Sequence, residues 1–572
     1  MQHSPISEAR LQVFSSTIAL LMLLAAARSV QVQIIDSPRY ANVAARQQLE
    51  TVRISAPRGI IFDRRGSPLA VSKIGYLLRA NPRALTDVIT TSAVIASAIG
   101  QPAERIQQRL EAIIRDQGNL TPTLSSIVVY NLPLEKAIDV ARGLRQSGRE
   151  GIQIEEYWMR VYPSGQLAGP LLGFVNLEPA GYVGVEGYYN QQLSALVGLR
   201  QGRAKLELQT ISPSERGSDV ILTIDSELQN FAEKRLQRAL EESGARSGVI
   251  IVMETTSGAI LASASAPGFD PNRALEIASQ GGLELLTDPA VSRPYEPGSV
   301  IKPMTWAIAI DTGHVSATSI LTDSGRLEVY GKRIFNSDRQ THGTVTVEDV
   351  LALSLNVPTA QMAIELGPET FYAYMQNFGF GSITGVDLAS ESAGVLRTPR
   401  NVEWSRIDLA TNSFGQGLSA TPYQVLNAFN AIANDGMLMQ PYVVHEWRRP
   451  DGDNIRRQPV RARRVISEQT ARIMRQLLAN ATRRATPEAL LPGYPVAGKT
   501  GTANWYRAGV KQKTTIVTYV GTLPADSPRL TILVKLDEPT VSPWAAATTV
   551  PVFRDVAAYA VRLLGIPPQS PS

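Results

Sequence analysis

The chain has 572 residues, 44% apolar and 19% charged, with a formal net charge of +5. That length exceeds one compact core, so two or three domains are expected, and a small positive excess without a dense Lys/Arg run argues against nucleic acid as a partner. The absence of cysteine excludes thiol catalysis, zinc-thiolate sites and disulfides, and the four histidines (His3, His314, His342, His445) make no metal-ligating spacing.

Leu11 to Ala27, LQVFSSTIALLMLLAAA, carries no charge and lies between Arg10 and Arg28. As a helix it reaches about 25 Å, enough for a bilayer core when flanking side chains snorkel. It reads as a membrane anchor over 11–27 behind a cytoplasmic tail, 1–10. The small-residue end Ala25-Ala26-Ala27 also suits a signal-peptidase site, and a buried core helix is the third reading. The first two readings both carry the remainder out of the cytoplasm.

Gln31 to about Arg53 is polar with scattered apolar residues and suits a stalk. Ile60, Ile61 and Phe62 predict a short strand, Arg65-Gly66 a turn, and Leu69-Ala70-Val71 a return strand. Residues 85–150 are mainly helical in pattern. Arg160 to Gly165 and Gly181 to Glu186 read as structural turns.

A second domain begins near Gly217. Asp219 to Asp225 alternates like a strand, and Asp225 suits the N-cap of a helix with the apolar stripe Leu228, Phe231, Ala232, Leu236, Ala239 and Leu240. Val249 to Met253 and Ala259 to Ala264 predict a hairpin through Thr256-Ser257-Gly258. Three strand-like runs follow near the end, Ala497 to Asn504, Thr515 to Gly521 and Leu530 to Leu536, then a helix from Val552 to Leu564 and a disordered tail after Ile566. A largely helical stretch separates the two groups of strands. One sheet built from both ends, with helices on its faces, fits that order.

Three motifs carry chemistry. Ser299 and Lys302 (SVIK) follow Pro297-Gly298 and open a helix that is apolar all round. Three residues apart, they share a helix face, with the serine at the positive end of the dipole. A serine hydroxyl needs a base, and a lysine buried among apolar groups has its ammonium form disfavoured. Ser354-Leu355-Asn356 offers a hydroxyl that relays protons and an amide that binds peptide backbone, and alone reads as a polar loop. In Gly498-Lys499-Thr500-Gly501-Thr502-Ala503, Lys499 brings a fixed positive charge, and Gly501 allows a substrate backbone close to a strand that an added chain could extend. The trio SxxK, SxN and KTG in this order marks penicillin-binding proteins and β-lactamases.

With these motifs the chain resembles the class B penicillin-binding proteins over nearly its whole length. Arg58 to Ala70 is similar to the family's RGxIxDRxGxxLA signature. Arg160, Tyr162, Pro163 and Gly165, then Gly184 with Glu186, resemble its other non-catalytic motifs, and Ser413-Phe414-Gly415-Gln416-Gly417 with Thr421-Pro422-Tyr423-Gln424 matches a further segment. Asn504 departs from the Gln often found there, which puts a peripheral substrate contact in doubt. The resemblance implies a non-catalytic α+β pedestal over 28–215, of the dimerisation type, and a penicillin-binding, β-lactamase-like α/β domain over 216–566. The latter would hold a five-stranded antiparallel sheet flanked by helices, with 567–572 as tail.

The implied activity is D,D-transpeptidation of peptidoglycan stem peptides through an acyl-enzyme, inhibited by β-lactams, with no metal or organic cofactor. The resemblance assigns Ser299 as nucleophile, Lys302 as base and Ser354 as proton relay. It assigns Asn356 to the donor peptide, and Lys499, Thr500 and Thr502 to its terminal carboxylate. The oxyanion hole falls to the N–H groups of Ser299 and Thr502. Expected partners are stem peptides, β-lactams, the membrane and a polytopic glycan polymerase of division or elongation. A D,D-carboxypeptidase, a β-lactam-hydrolysing or sensing protein and a non-catalytic cell-wall scaffold are the rival readings.

Overall fold

A computed structural model describes residues 8–37, 50–54, 56–115, 126–177, 179–196, 198–202, 209–212, 215–507 and 510–569. The chain divides into two units, 1–56 with 195–215, and 57–194 with 216–572. In the first, helix α1 (Glu8–Val30) runs on through a π-helical turn, Gln31–Ile35. Gln12–Ile35 has mean hydropathy 1.9 with none of it buried, long and apolar enough to cross a bilayer once. The helix thus outruns the Leu11–Ala27 segment and takes in the start of the expected stalk. The rest of that stalk falls largely outside the described residues. Glu50–Ile54, Gly198–Gly202 and Gln209–Ser212 form a small antiparallel sheet.

The second unit begins with a sheet centred on Pro68–Ala80, which pairs antiparallel with Ile152–Val161 and Ile127–Leu132. Helices Val88–Ile99, Ala103–Arg115 and Leu134–Gln146 bury Ile95, Leu110 and Val140 against Leu78. The mainly helical pattern over 85–150 thus holds, with the strand Ile127–Leu132 set into it. Ile61–Phe62 pairs antiparallel with the start of Pro68–Ala80 and parallel with Asp219–Leu222, which pairs onward with Val444–Arg448. One sheet therefore runs across the expected boundary at residue 216.

The two segments read as turns meet in a buried ion cluster. Arg58 Nε and Arg160 Nε lie 2.7 and 2.6 Å from the two carboxylate oxygens of Glu186, and the Tyr162 hydroxyl donates to Oε1 at 3.3 Å. Glu186 is fully buried. The two guanidiniums outweigh its desolvation and hold its carboxyl below the usual range.

Asp225 caps helix α2 (Ser226–Ser243), accepting from the N–H groups of Glu227 and Leu228. The main-sheet strands are β1 (Ser247–Glu254) and β2 (Ile260–Ala266), and, late in the chain, β3 (Ala497–Arg507), β4 (Val510–Leu523) and β5 (Leu530–Asp537). They form one antiparallel five-stranded sheet in the order β2-β1-β5-β4-β3. The hairpin and the three late runs thus fall where their patterns predicted. Val249 to Met253 is continuously apolar because both faces are covered. Ile250 and Val252 join a core with α2 and the C-terminal helix Ala545–Leu563. Val249, Ile251 and Met253 join one with Met304, Trp306 and Phe429.

The stretch between the strand groups is less helical than its pattern suggested. Ile320–Asp323 pairs with Gly343–Thr346, and Arg326–Val329 with Lys332–Phe335. These strands are short and largely exposed, so they lack the apolar alternation that marks the main sheet. The tail is tied down as far as Gln569, whose N–H donates to Gly493 O at 2.7 Å and whose Nε2 donates to Ser527 Oγ at 3.0 Å.

Candidate active site

Ser299 lies in a 3-10 turn, Gly298–Ile301, that leads into helix Lys302–Asp311. The sequence pattern placed it on an α-helix; Pro303 explains the difference. An α-helix would need the N–H of residue 303 for the Ser299 carbonyl, and proline has none. The Lys302 N–H takes that carbonyl instead, tightening the turn. Ser299 is half-buried, and its Oγ makes no hydrogen bond with the described residues.

This turn is cast against backbone on two sides. Gly298 N–H donates to Gly415 O at 3.0 Å, and a Cβ on Gly415 would lie 2.1 Å from Gly298 O. Both glycines have positive φ, 61° and 81°. On the other side, a Cβ on Gly501 would lie 2.7 Å from Pro297 O and 2.9 Å from Val300 Cγ1. Gly501 was expected to admit substrate. In the structure its missing side chain admits the turn that bears Ser299, and that close approach accounts for the glycine. Thr305 Oγ1 donates to Ser413 O at 2.7 Å and Gly417 N–H to Glu296 Oε1 at 3.0 Å, so the Ser413–Gly417 segment cradles the turn. The following Thr421-Pro422-Tyr423-Gln424 is a capping box with proline in the first turn of helix Pro422–Ala433.

Lys302 is fully buried. Its amine donates to Ser354 O, and to Ser354 Oγ at 3.2 Å. Lys499, from the edge strand β3, donates to the same Oγ at 3.0 Å, and to Thr500 O and Oγ1 at 3.1 and 3.3 Å. Desolvation, with a smaller repulsion from Lys499, pushes the Lys302 amine well below the usual lysine range. Desolvation pushes Lys499 down to about 7. Burial thus makes Lys499 a charge that can titrate near neutral pH, where the sequence suggested a fixed one.

Ser354 has a left-handed backbone, φ 56°, and joins helix Val347–Ala352 to helix Val357–Asn377. Asn356 turns its Nδ2 onto Phe335 O at 2.9 Å and does not cap its own helix. The Asn356 N–H is taken by Asn336 Oδ1 at 3.0 Å, a residue that sequence reasoning did not single out. Gly501 and Thr502 follow Lys499 along β3, and a Cβ on Gly298 would lie 2.9 Å from Thr502 O. The structure thus gathers Ser299, Lys302, Ser354, Lys499, Thr500, Gly501 and Thr502 around one end of β3, with Asn356 two residues beyond Ser354. The Asn504 side chain lies outside those described.

Two family profiles match the chain: the penicillin binding protein transpeptidase domain over residues 248–558, and the penicillin-binding protein dimerisation domain over 53–222. Among curated relatives, the probable peptidoglycan D,D-transpeptidase PbpC of Pseudomonas aeruginosa is 30% identical, over 96% of this chain and 94% of its own. The peptidoglycan D,D-transpeptidase FtsI of Escherichia coli is 26% identical, over 100% and 94%. Penicillin binding protein 3 of Mycobacterium tuberculosis, solved in complex with aztreonam, superposes with TM-score 0.69 at 27% identity, covering 91% of this chain and 98% of that one. Matched over more than half its length by the transpeptidase profile, and nearly end to end by PbpC, the chain belongs to the class B penicillin-binding proteins.

Proposed function

We propose that the protein is a serine D,D-transpeptidase that crosslinks peptidoglycan stem peptides and is acylated by β-lactams. The observation that carries this reading is the convergence of two buried amines on Ser354 Oγ, beside the Ser299 turn and at the edge of the sheet. Its relatives named peptidoglycan D,D-transpeptidases, and those solved with aztreonam and ampicillin, support it.

Lys302, held neutral by burial, accepts the Ser299 proton as Oγ attacks the carbonyl between the terminal D-alanines. The carbonyl electrons move to oxygen, which the N–H groups of Ser299 and Thr502 receive; such donors contribute roughly 3–4 kcal/mol each. Collapse breaks the C–N bond, and the departing D-alanine nitrogen gains its proton through Ser354. An amine of a neighbouring stem peptide then attacks the acyl-enzyme, loses a proton to the same base, and expels Ser299, which is reprotonated. Lys499, Thr500 and Thr502 hold the terminal carboxylate, while Asn356 and the edge of β3 hold the donor backbone. The scheme balances without a metal or organic cofactor.

Residues 28–215 act as pedestal and 216–566 as the catalytic domain. The anchor leaves 1–10 in the cytoplasm and the catalytic domain outside, where a polytopic glycan polymerase supplies new strands.

The test is intact mass after exposure to a penicillin. One adduct should form, on the peptide bearing Ser299, and Ser299→Ala should form none; an adduct elsewhere sinks the assignment. Given a stem-peptide substrate and an acceptor amine, the enzyme should form the amide. Hydrolysis alone would make it a carboxypeptidase.

A further inference from the structure

Ser354 must sit between two amines in a backbone conformation that L-residues rarely hold unaided. The link it occupies is pinned at both ends. Leu355 N–H donates to Val350 O at 3.0 Å, closing the preceding helix. On the other side, Asn336 Oδ1 accepts from Asn356 N–H at 3.0 Å and Val357 N–H at 3.1 Å. These are orphan donors at the start of helix Val357–Asn377, and the cap comes from outside the helix.

Asn336 is almost wholly buried. Its Nδ2 donates to Asp323 Oδ2 at 2.8 Å and Gln340 O at 3.1 Å, so both its donors and its acceptor are engaged. Asp323 is fully buried and makes no ion pair among the described residues. Its Oδ1 accepts from Gly325 N–H at 3.1 Å, and Oδ2 also accepts from His342 N–H at 2.9 Å. Every recorded contact of the Asp323 oxygens is with a donor, the NH2 end of Asn336 among them, which leaves the amide oxygen to face the helix start. Without Asp323 the NH2 end of Asn336 would keep Gln340 O as its one acceptor among the described residues.

We propose that Asp323 and Asn336 form a positioning relay for the acylation site. Asp323 orients Asn336, and Asn336 clamps the Ser354–Asn356 link so that Ser354 Oγ stays within reach of Lys302 and Lys499. The same clamp places Phe335 O under the Asn356 amide, because Phe335 precedes Asn336 in the chain. The relay touches no reacting atom; it acts through Ser354. It rests on the transpeptidase reading above.

The experiment measures the acylation rate constant and the pre-acylation dissociation constant of the full-length protein with a chromogenic penicillin, per molecule of titratable active site. Asn336→Ala should lower the rate constant by about 100-fold while the dissociation constant moves less than about threefold, the split expected when reacting groups are misplaced and substrate contacts persist. Asn336→Asp should lose a similar factor, since two carboxylates would then face each other in a buried site. Adding Asp323→Asn removes the opposed charge and returns a donor–acceptor contact between the two side chains, although His342 N–H and Gln340 O each lose their partner, so recovery should be partial, about tenfold. The double variant has the opposed charge removed, so it keeps the proposal testable even if Asn336→Asp folds poorly. An unchanged rate constant in folded Asn336→Ala, whatever its melting temperature, overturns the relay. So does a double variant no faster than Asn336→Asp. If the unaltered protein is not acylated at all, the transpeptidase reading fails instead.

Discussion

Lys302 and Lys499 reach the same oxygen, Ser354 Oγ, at 3.2 and 3.0 Å, one from the first turn of a buried helix and the other from an edge strand. Two ammonium groups would repel each other there with little solvent to screen them. Burial lowers both amines, which eases that repulsion.

In the proposed mechanism Lys302 is the base, its amine lowered by burial and by the neighbouring Lys499. Lys302→Arg keeps a cation that does not give up its proton near neutral pH. Penicillin acylation of that variant should fall by about 1,000-fold or more, within the range set by loss of a general base plus an added buried charge. Circular dichroism should show the fold retained. Acylation within tenfold of the unaltered protein would remove Lys302 from this role.

Lys499 should govern how carboxylate-bearing substrates respond to pH. Burial lowers its amine to about 7, so above that pH it loses its charge and its pull on a carboxylate. The second-order acylation constant reports the free enzyme. For a penicillin with a free carboxylate it should decline as pH rises through about 7 to 8; for the corresponding ester this limb should be missing. Lys499→Ala should abolish the limb. Equal losses for acid and ester in Lys499→Ala would assign Lys499 to proton transfer through Ser354.

The same burial makes Lys499 a stability cost. Unfolded, the amine titrates near 10.5; folded, near 7. Between those values the unfolded chain binds more protons, so stability from this group rises with pH and is lowest at and below about 7. Lys499→Met should therefore stabilise the protein at pH 7, by on the order of a few kcal/mol. The gain should shrink as pH approaches 10. Urea midpoints at the two pH values decide it: a destabilised Lys499→Met at pH 7 would contradict the account.

Truncation probes the division between pedestal and catalytic domain. A fragment starting at Arg216 keeps every residue of the proposed site but leaves Asp219–Leu222 without its neighbour Ile61–Phe62. It also uncovers a core shared with Leu69, Tyr162 and Leu171. Soluble, folded fragment should acylate within about tenfold of the full chain, with a melting temperature lowered by several degrees. A fragment that folds and fails to acylate would place part of the site within 28–215.

Much of the site was legible because its residues lie in short local motifs. SVIK, SLN and KTGT each mark one element, and apolar runs long enough to be covered on both faces mark the main sheet. What escaped depends on contacts far apart in sequence. Arg58 and Arg160 meet Glu186 across segments that individually look like turns. Asn336 sits among polar residues between short exposed strands, and nothing local distinguishes it from solvent-facing loop. Gly501 shows the subtler failure: its smallness was read correctly, but its neighbour was not, since Pro297 comes against it only after the sheet closes. The 3-10 turn at Ser299 was open to derivation from Pro303, had the missing N–H been counted.

The packing of Gly298, Gly415 and Gly501 sets limits on how the protein evolves under antibiotic pressure. The nearest atom to the place a Cβ would take at each is a carbonyl oxygen, which has no rotamer with which to retreat, and at Gly501 the Val300 side chain adds to the crowding. Selection for weaker β-lactam capture therefore has no graded route through these three positions, since even alanine would move the nucleophile for cell-wall substrate and drug alike. Variants that discriminate between the two must arise in side chains that line the groove or in the loops that hold them, where a change can be small.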